Sequence, residues 1–161
     1  MTDPTHADHT RGGTHSRSLR RSASIGLIAG LLLSMGTAAA VAGYAQSTLG
    51  TFTSGGINYT NASDILTKTG TDSSGSLVKR TNGTASPAGH IGAMARGYRS
   101  SGALACSSGY LYSGSSSVSF LAACNFSGTL GASYYGHGIS KTWTGSAYDA
   151  TYTFKSPNQT A

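Results

Sequence analysis

Glutamate is absent from this 161-residue chain, and aspartate is scarce. Beyond residue 45 the only acidic side chains are Asp64, Asp72 and Asp149, each set among polar neighbours. That excludes a glycosidase built on two carboxyl groups at a controlled separation. It also excludes a calcium loop, because Asp72 within TGTDSSG is one carboxylate where several are needed. Histidine is equally thin over the same span, with His90 and His137 alone, and two histidines without a ligand-spaced partner do not make a zinc site. A triad of His137, Asp149 and some serine can be drawn, but neither histidine lies in a recognised nucleophile context. An extracellular hydrolase is therefore the weakest reading. The chain reads as a non-enzyme that uses no cofactor and no metal.

Cysteine occurs twice and tryptophan once. Cys106 and Cys124 lie too far apart for a redox CxxC pair. Large aliphatic residues are few after residue 45, so tyrosine, phenylalanine, alanine and close backbone packing must supply much of the buried area. Helical periodicity of useful length is missing there as well. A small domain with so thin a core gains from a covalent link.

The long apolar run is N-terminal. Arg11, Arg17, Arg20 and Arg21 precede IGLIAGLLLSM (Ile25–Met35), and small residues follow to Ala45. This is the pattern of an export leader over residues 1–45, removed after Ala45 or, as the close competitor, after Ala42. Cleavage leaves no stable transmembrane anchor. Arg20–Arg21 resembles a twin-arginine signal without its usual large apolar residue, so the export route stays open. Residues 46–161 then form a single secreted domain. An oxidising destination favours a Cys106–Cys124 disulfide.

Seven lysines and arginines face three aspartates in that domain, a net charge near +4. The charges are spread thinly, and Lys79–Arg80 is the only adjacent basic pair, which argues against a nucleic-acid surface. Weak attraction to anionic surfaces is the better match.

Period-two alternation dominates what is left. Leu104, Cys106, Tyr110 and Tyr112 form one run; Val118, Phe120, Ala122, Cys124 and Phe126 form another, with SGSSS between them. Paired about Ser115, they predict a hairpin over Ala103–Phe126 that sets Cys106 opposite Cys124. A second hairpin is expected from Ile139–Trp143 and Tyr148–Phe154, and a tight turn at Asn82–Gly83. In Ile91–Tyr98 one face is small (Ala93, Ala95, Gly97), as if another sheet passes closely. Ser63 or Asp64 is expected to cap one helical turn through Lys68, and Thr69–Ser76 to be a loop. Six to eight short strands point to an all-β fold, a small antiparallel sandwich or barrel.

Tyr134, Tyr135, Trp143 and Tyr148 concentrate aromatic area near Lys141 and His137. Such residues either fill an aliphatic-poor core or form a face that stacks on cell-wall glycan or on another extracellular protein. Five N-x-[ST] matches, at Asn58, Asn61, Asn82, Asn125 and Asn158, are what chance gives in so polar a chain.

The runs PAGHIGAMARGYRSSGAL (Pro87–Leu104), SYYGHGISKTW and YTFKSPNQ resemble small secreted β-rich proteins of actinomycetes. The resemblance implies export by a Gram-positive bacterium and carries no site residues with it. A looser likeness to lactococcin-type bacteriocins rests on small size, secretion and a Gly/Ser/Tyr-rich composition. The primary expectation is a secreted protein that acts by surface contact; a toxin-like antimicrobial protein is the alternative.

Overall fold

In the computed structural model, which describes residues 43–68 and 71–161, the chain consists of strands joined by turns and irregular segments. The first four strands are β1 (Tyr44–Gln46), β2 (Gly50–Ser54), β3 (Ile57–Leu66) and β4 (Asp72–Arg80). β5 (Ile91–Met94), β6 (Arg96–Arg99), β7 (Leu104–Ser107), β8 (Leu111–Tyr112) and β9 (Ser119–Phe126) follow. β10 (Ser133–Gly136), β11 (Ile139–Trp143), β12 (Tyr148–Tyr152) and β13 (Gln159–Thr160) complete the set. All pairings between them are antiparallel.

Three sheets result. One has the order β1-β3-β4-β9, with β2 also on β3; the others run β13-β10-β6-β7 and β12-β11-β5-β8. The two four-stranded sheets are made from the same stretches of chain, since only Ala95 separates β5 from β6 and only His137–Gly138 separates β10 from β11. Both pack on the five-stranded sheet, through β5, β6, β10 and β11 against β3, β4 and β9.

What fills the space between is unusual for so small a fold. Three apolar clusters carry the hydrophobic part: Ala93, Ala95, Ala122 and Cys124; Ala45, Ile65 and Tyr134; Tyr59, Val78 and Ile91. Between them the contact is serine against glycine backbone. Ser63 Oγ lies within donating distance of the Gly136 carbonyl (2.9 Å) and the Phe154 carbonyl (2.6 Å). Ser74 Oγ stands 2.9 Å from both the Asp64 and Arg96 carbonyls. Asn61 Nδ2 donates to Ser140 Oγ at 3.3 Å. For the Gly136 and Arg96 carbonyls the hydroxyl is a second partner beside a backbone amide, which keeps polar groups satisfied in the interior. The glycines are required by the closeness: a Cβ on Gly136 would strike the Asp64 carbonyl, and one on Gly138 would strike Ser76. The small face expected on Ile91–Tyr98 is here, with Gly97 set so that a Cβ would lie 3.3 Å from Ser74 Cβ.

Several sequence expectations need correction. Ile57–Leu66 is one ten-residue strand and not a strand followed by a helical turn. Ser63, read as a local cap, instead donates into the facing sheets, and ladders on both sides hold it extended. Much of the expected loop Thr69–Ser76 is the start of β4, eight of whose residues pair with β9. Thirteen strands are present among the described residues, more than the six to eight expected, because long runs are interrupted.

The hairpin over Ala103–Phe126 does not form. β7 pairs with β6, β8 with β5 and β9 with β4. The disulfide forms all the same: Cys106 and Cys124 are bonded, with Cα atoms 5.9 Å apart. It joins two sheets and not two neighbouring strands. The register shift between Gly97 and Tyr98 leaves Ala105 as an extra residue in β7, so Leu104 stays exposed while Cys106 turns toward β9. Alternation identified the face of the Val118–Phe126 run but not its partner strand, and it missed the face of the first run, in which Leu104, Tyr110 and Tyr112 are exposed while Cys106 packs inward.

The second hairpin is present, with Trp143 opposite Tyr148 and Ile139 opposite Tyr152. Gly83 takes φ 72° in the expected turn, where a left-handed residue is needed. Of the leader expected over residues 1–45, residues 1–42 lie outside the described residues. Tyr44 and Ala45 belong to β1, opposite Leu66 and Ile65.

Candidate functional site: an aromatic and cationic sheet face

Residues directly opposed across an antiparallel ladder share a face, and the face alternates along each strand. Ala93, Ala95, Gly97, Tyr134, Gly136 and Ser140 point toward the five-stranded sheet. Tyr98, Tyr135, His137, Lys141, Trp143, Tyr148 and Tyr152 therefore point away from it.

Two chains of ring contacts run over this outer face. In one, Tyr98 and Tyr135 stack with centroids 5.4 Å apart and planes at 15°. His137 lies 6.5 Å from Tyr98 and 5.6 Å from Tyr152. In the other, Tyr148 lies 4.9 Å from Tyr112 and 5.0 Å from Trp143, and Trp143 lies 6.2 Å from His90. Tyr148 reaches across from β12 to donate its hydroxyl to the Gly89 carbonyl at 2.7 Å. Tyr112 crosses Gly92, opposite it in the ladder, where a Cβ would strike the ring. Met94 and Ile139 point outward between the two groups and are nonetheless buried.

Cations border the rings. Lys141 Nζ stands 4.9 Å from the Tyr110 centroid, and Lys155 Nζ 4.8 Å from that of Tyr135. Burial first, and then the charges of Lys155 and Arg96, hold the His137 imidazole below its ordinary value, against an opposing hydrogen bond with the Thr153 backbone. Carboxylates keep away. Asp149 Oδ2 accepts a hydrogen bond from Ser54 at 2.7 Å, Asp72 is buried, and Asp64 lies across from Gly75 in the five-stranded sheet.

Lys155 owes its place to a bulge. The Thr153 amide donates to Gly138 and the Ser156 amide to Gly136, so three steps of one strand span two of the other. Thr153 and Ser156 both end up inward, their hydroxyls accepting from the Gly138 and Gly136 amides at 2.8 Å. Lys155 is thereby turned to the outer face, and Phe154 to Gly50 at the edge.

The four aromatics singled out from sequence divide three to one. Tyr135, Trp143 and Tyr148 share the outer face. Tyr134 is 1% exposed, packs against Ile65, Ala45 and Phe126, and accepts a hydrogen bond from the Thr129 amide at 2.9 Å. Adjacent residues of a strand cannot share a face, so Tyr134 and Tyr135 had to separate. Tyr98, Tyr110, Tyr112, Tyr152, Arg96 and Lys155 join the face without having been expected there. Parity carried a signal for Tyr152 through the second hairpin, but none for Lys155.

The drawn triad is not assembled. Asp149 pairs with Thr142, five residues along from His137, which is about 16 Å of extended strand. Among the described residues no three His, Cys or Asp side chains gather as metal ligands. No family model, curated protein or solved structure matches this chain.

Proposed function

We propose that this is a secreted, non-enzymatic binding protein that lays a cell-wall glycan chain against its aromatic sheet face. The observation that supports the reading is the concentration of rings on that face: six tyrosines and the single tryptophan lie on one side of one layer, in two groups with cations beside them. Monomeric proteins rarely leave so large an aromatic patch uncovered without an occupant. Tyrosine and tryptophan offer flat apolar area with little side-chain entropy to lose, which suits stacking on sugar rings. We read the three sheets as eight interrupted runs in a two-layer sandwich, with this face as its outer surface, and the protein as exported by a Gram-positive bacterium.

The test is a pull-down on purified cell wall with wild type, Trp143→Ala and Tyr98→Ala. Loss of roughly 1–2 kcal/mol of binding per ring is expected from burying such anchors. Equal retention of all three proteins overturns the reading. Leakage of lipid vesicles without wall binding would favour the antimicrobial alternative instead.

A further inference from the structure

We propose that Arg96, His137 and Lys155 form an anion seat on this face, and that the ligand is a phosphodiester-bearing wall polymer. Its phosphate would sit in the seat, and its sugar or polyol units would lie against Tyr98, Tyr135 and Tyr152. The proposal rests on the glycan-binding reading and gives it a substrate class.

Three features converge. Arg96 and His137 are directly opposed, the His137 amide donating to the Arg96 carbonyl at 3.0 Å, so both side chains leave the sheet together. The bulge after Tyr152 brings Lys155 to the same spot, over Tyr135. Like charges held together are unfavourable until something of opposite sign arrives; the His137 imidazole is held down first by burial and, after it, by the charges of Lys155 and Arg96. No aspartate among the described residues answers these charges, since Asp64, Asp72 and Asp149 are placed elsewhere. A neutral saccharide would leave the crowding unrelieved.

A guanidinium and an ammonium suit the bare oxygens of a phosphodiester, which stays ionised throughout the physiological range. The motif also repeats. Lys141 sits on Tyr110 much as Lys155 sits on Tyr135, and Lys141 is four residues along the strand from His137, about 13 Å. Two cation-on-ring stations on one face match a polymer with recurring anions better than a single small ion.

The experiment uses purified Gram-positive wall, intact or stripped of phosphodiester-linked polymer with hydrofluoric acid. The proteins are wild type, Arg96→Gln/Lys155→Gln and, as a charge-matched control, Lys68→Gln/Lys79→Gln, the first just after β3 and the second on β4. Stripping is expected to weaken wild type about tenfold, and the Arg96/Lys155 variant should show the same loss on intact wall. On stripped wall that variant should equal wild type, which also shows that it is folded. The control variant should bind intact wall like wild type. Equal weakening by both double variants would mean diffuse attraction and would overturn the seat. Wild type binding both walls alike would overturn it too, while leaving the glycan reading intact. Competition by a carboxylated polysaccharide as effective as by a phosphodiester polymer would overturn the phosphate assignment. Binding to neither wall would remove both readings.

Discussion

Asp64 is the place where stability and pH should be coupled most visibly. It lies on β3 opposite Gly75, close enough that a Cβ there would be 2.6 Å from Asp64 Oδ1. Burial pushes its carboxyl up from 3.8 to about 6, against a smaller opposing hydrogen bond from the Gly75 backbone. The neighbouring Tyr44 hydroxyl is pushed up to about 12, by burial and then by Asp64. A carboxyl raised on folding binds its proton more tightly in the native state than in the unfolded one. Below about pH 4 both states hold the proton and the contribution to stability is complete. As pH rises toward 6 the unfolded chain releases it first, and stability falls. The rise in the Asp64 carboxyl is worth about 3 kcal/mol, lost between roughly pH 4 and pH 6. Asp64→Asn cannot ionise, so the gap between variant and wild type should widen across that window and stay level above it. The measurement is urea unfolding at half-unit steps from pH 4 to 7, disulfide intact, read as the difference between the two proteins at each pH. A difference that does not change with pH, or that moves in the variant's disfavour as pH rises, would refute the buried-carboxyl argument.

Three further outcomes are expected. Ser74→Ala should cost about 1–2 kcal/mol, because the Asp64 and Arg96 carbonyls lose the buried hydroxyl that they share. Ser76→Ala, whose hydroxyl is buried with no partner, should stay within about 0.5 kcal/mol of wild type or gain; similar losses in urea melts of the two variants would refute the contrast. Replacing Cys106 and Cys124 by serine opens a loop of sequence separation 18 and should cost about 3 kcal/mol, again read from urea midpoints. If the chain is exported as proposed, the mature protein should begin at Gly43, since cleavage after Ala42 keeps β1 and its Ala45 contact with Ile65 and Tyr134. Intact mass of the secreted form decides it, and a start at Gln46 would refute it.

How much of this was legible follows from what alternation encodes. Across the bulge in β7 alternation fails, and Leu104 is exposed where it was expected beside Cys106. Within an unbroken strand a period of two names the face of each residue, and it placed Trp143 beside Tyr148. It does not name the neighbouring strand. The runs around Ser115 look like a hairpin because their parities agree, yet each finds its ladder elsewhere, and the two cysteines meet across a layer boundary. Ser63 and Asp64 misled for a related reason. Short polar side chains are read locally as caps, whereas Ser63 acts on carbonyls 73 and 91 residues away in sequence. Lys155 was illegible because one extra residue in a bulge reverses every later parity, and nothing in YTFKS announces it.

The interior and the outer face explain each other. A chain with few large aliphatics would be expected to spend its tyrosines on the core, and only Tyr59 and Tyr134 are fully buried. Serine, glycine and alanine let the sheets approach until hydroxyls of one reach carbonyls of the other, as between Ser63 and Gly136 or Ser74 and Arg96. Layers that close leave little room for rings between them, and the pleat then delivers the alternate residues, rich in tyrosine, to the outside. Substitution by large residues at Gly136 or Gly138 would force the sheets apart and open room that the outer tyrosines cannot reach from their side of the pleat. The small-residue interior is thus what frees the aromatic surface for a ligand, so a core substitution that swells the interior should disturb the binding face through its strands before it touches any ring.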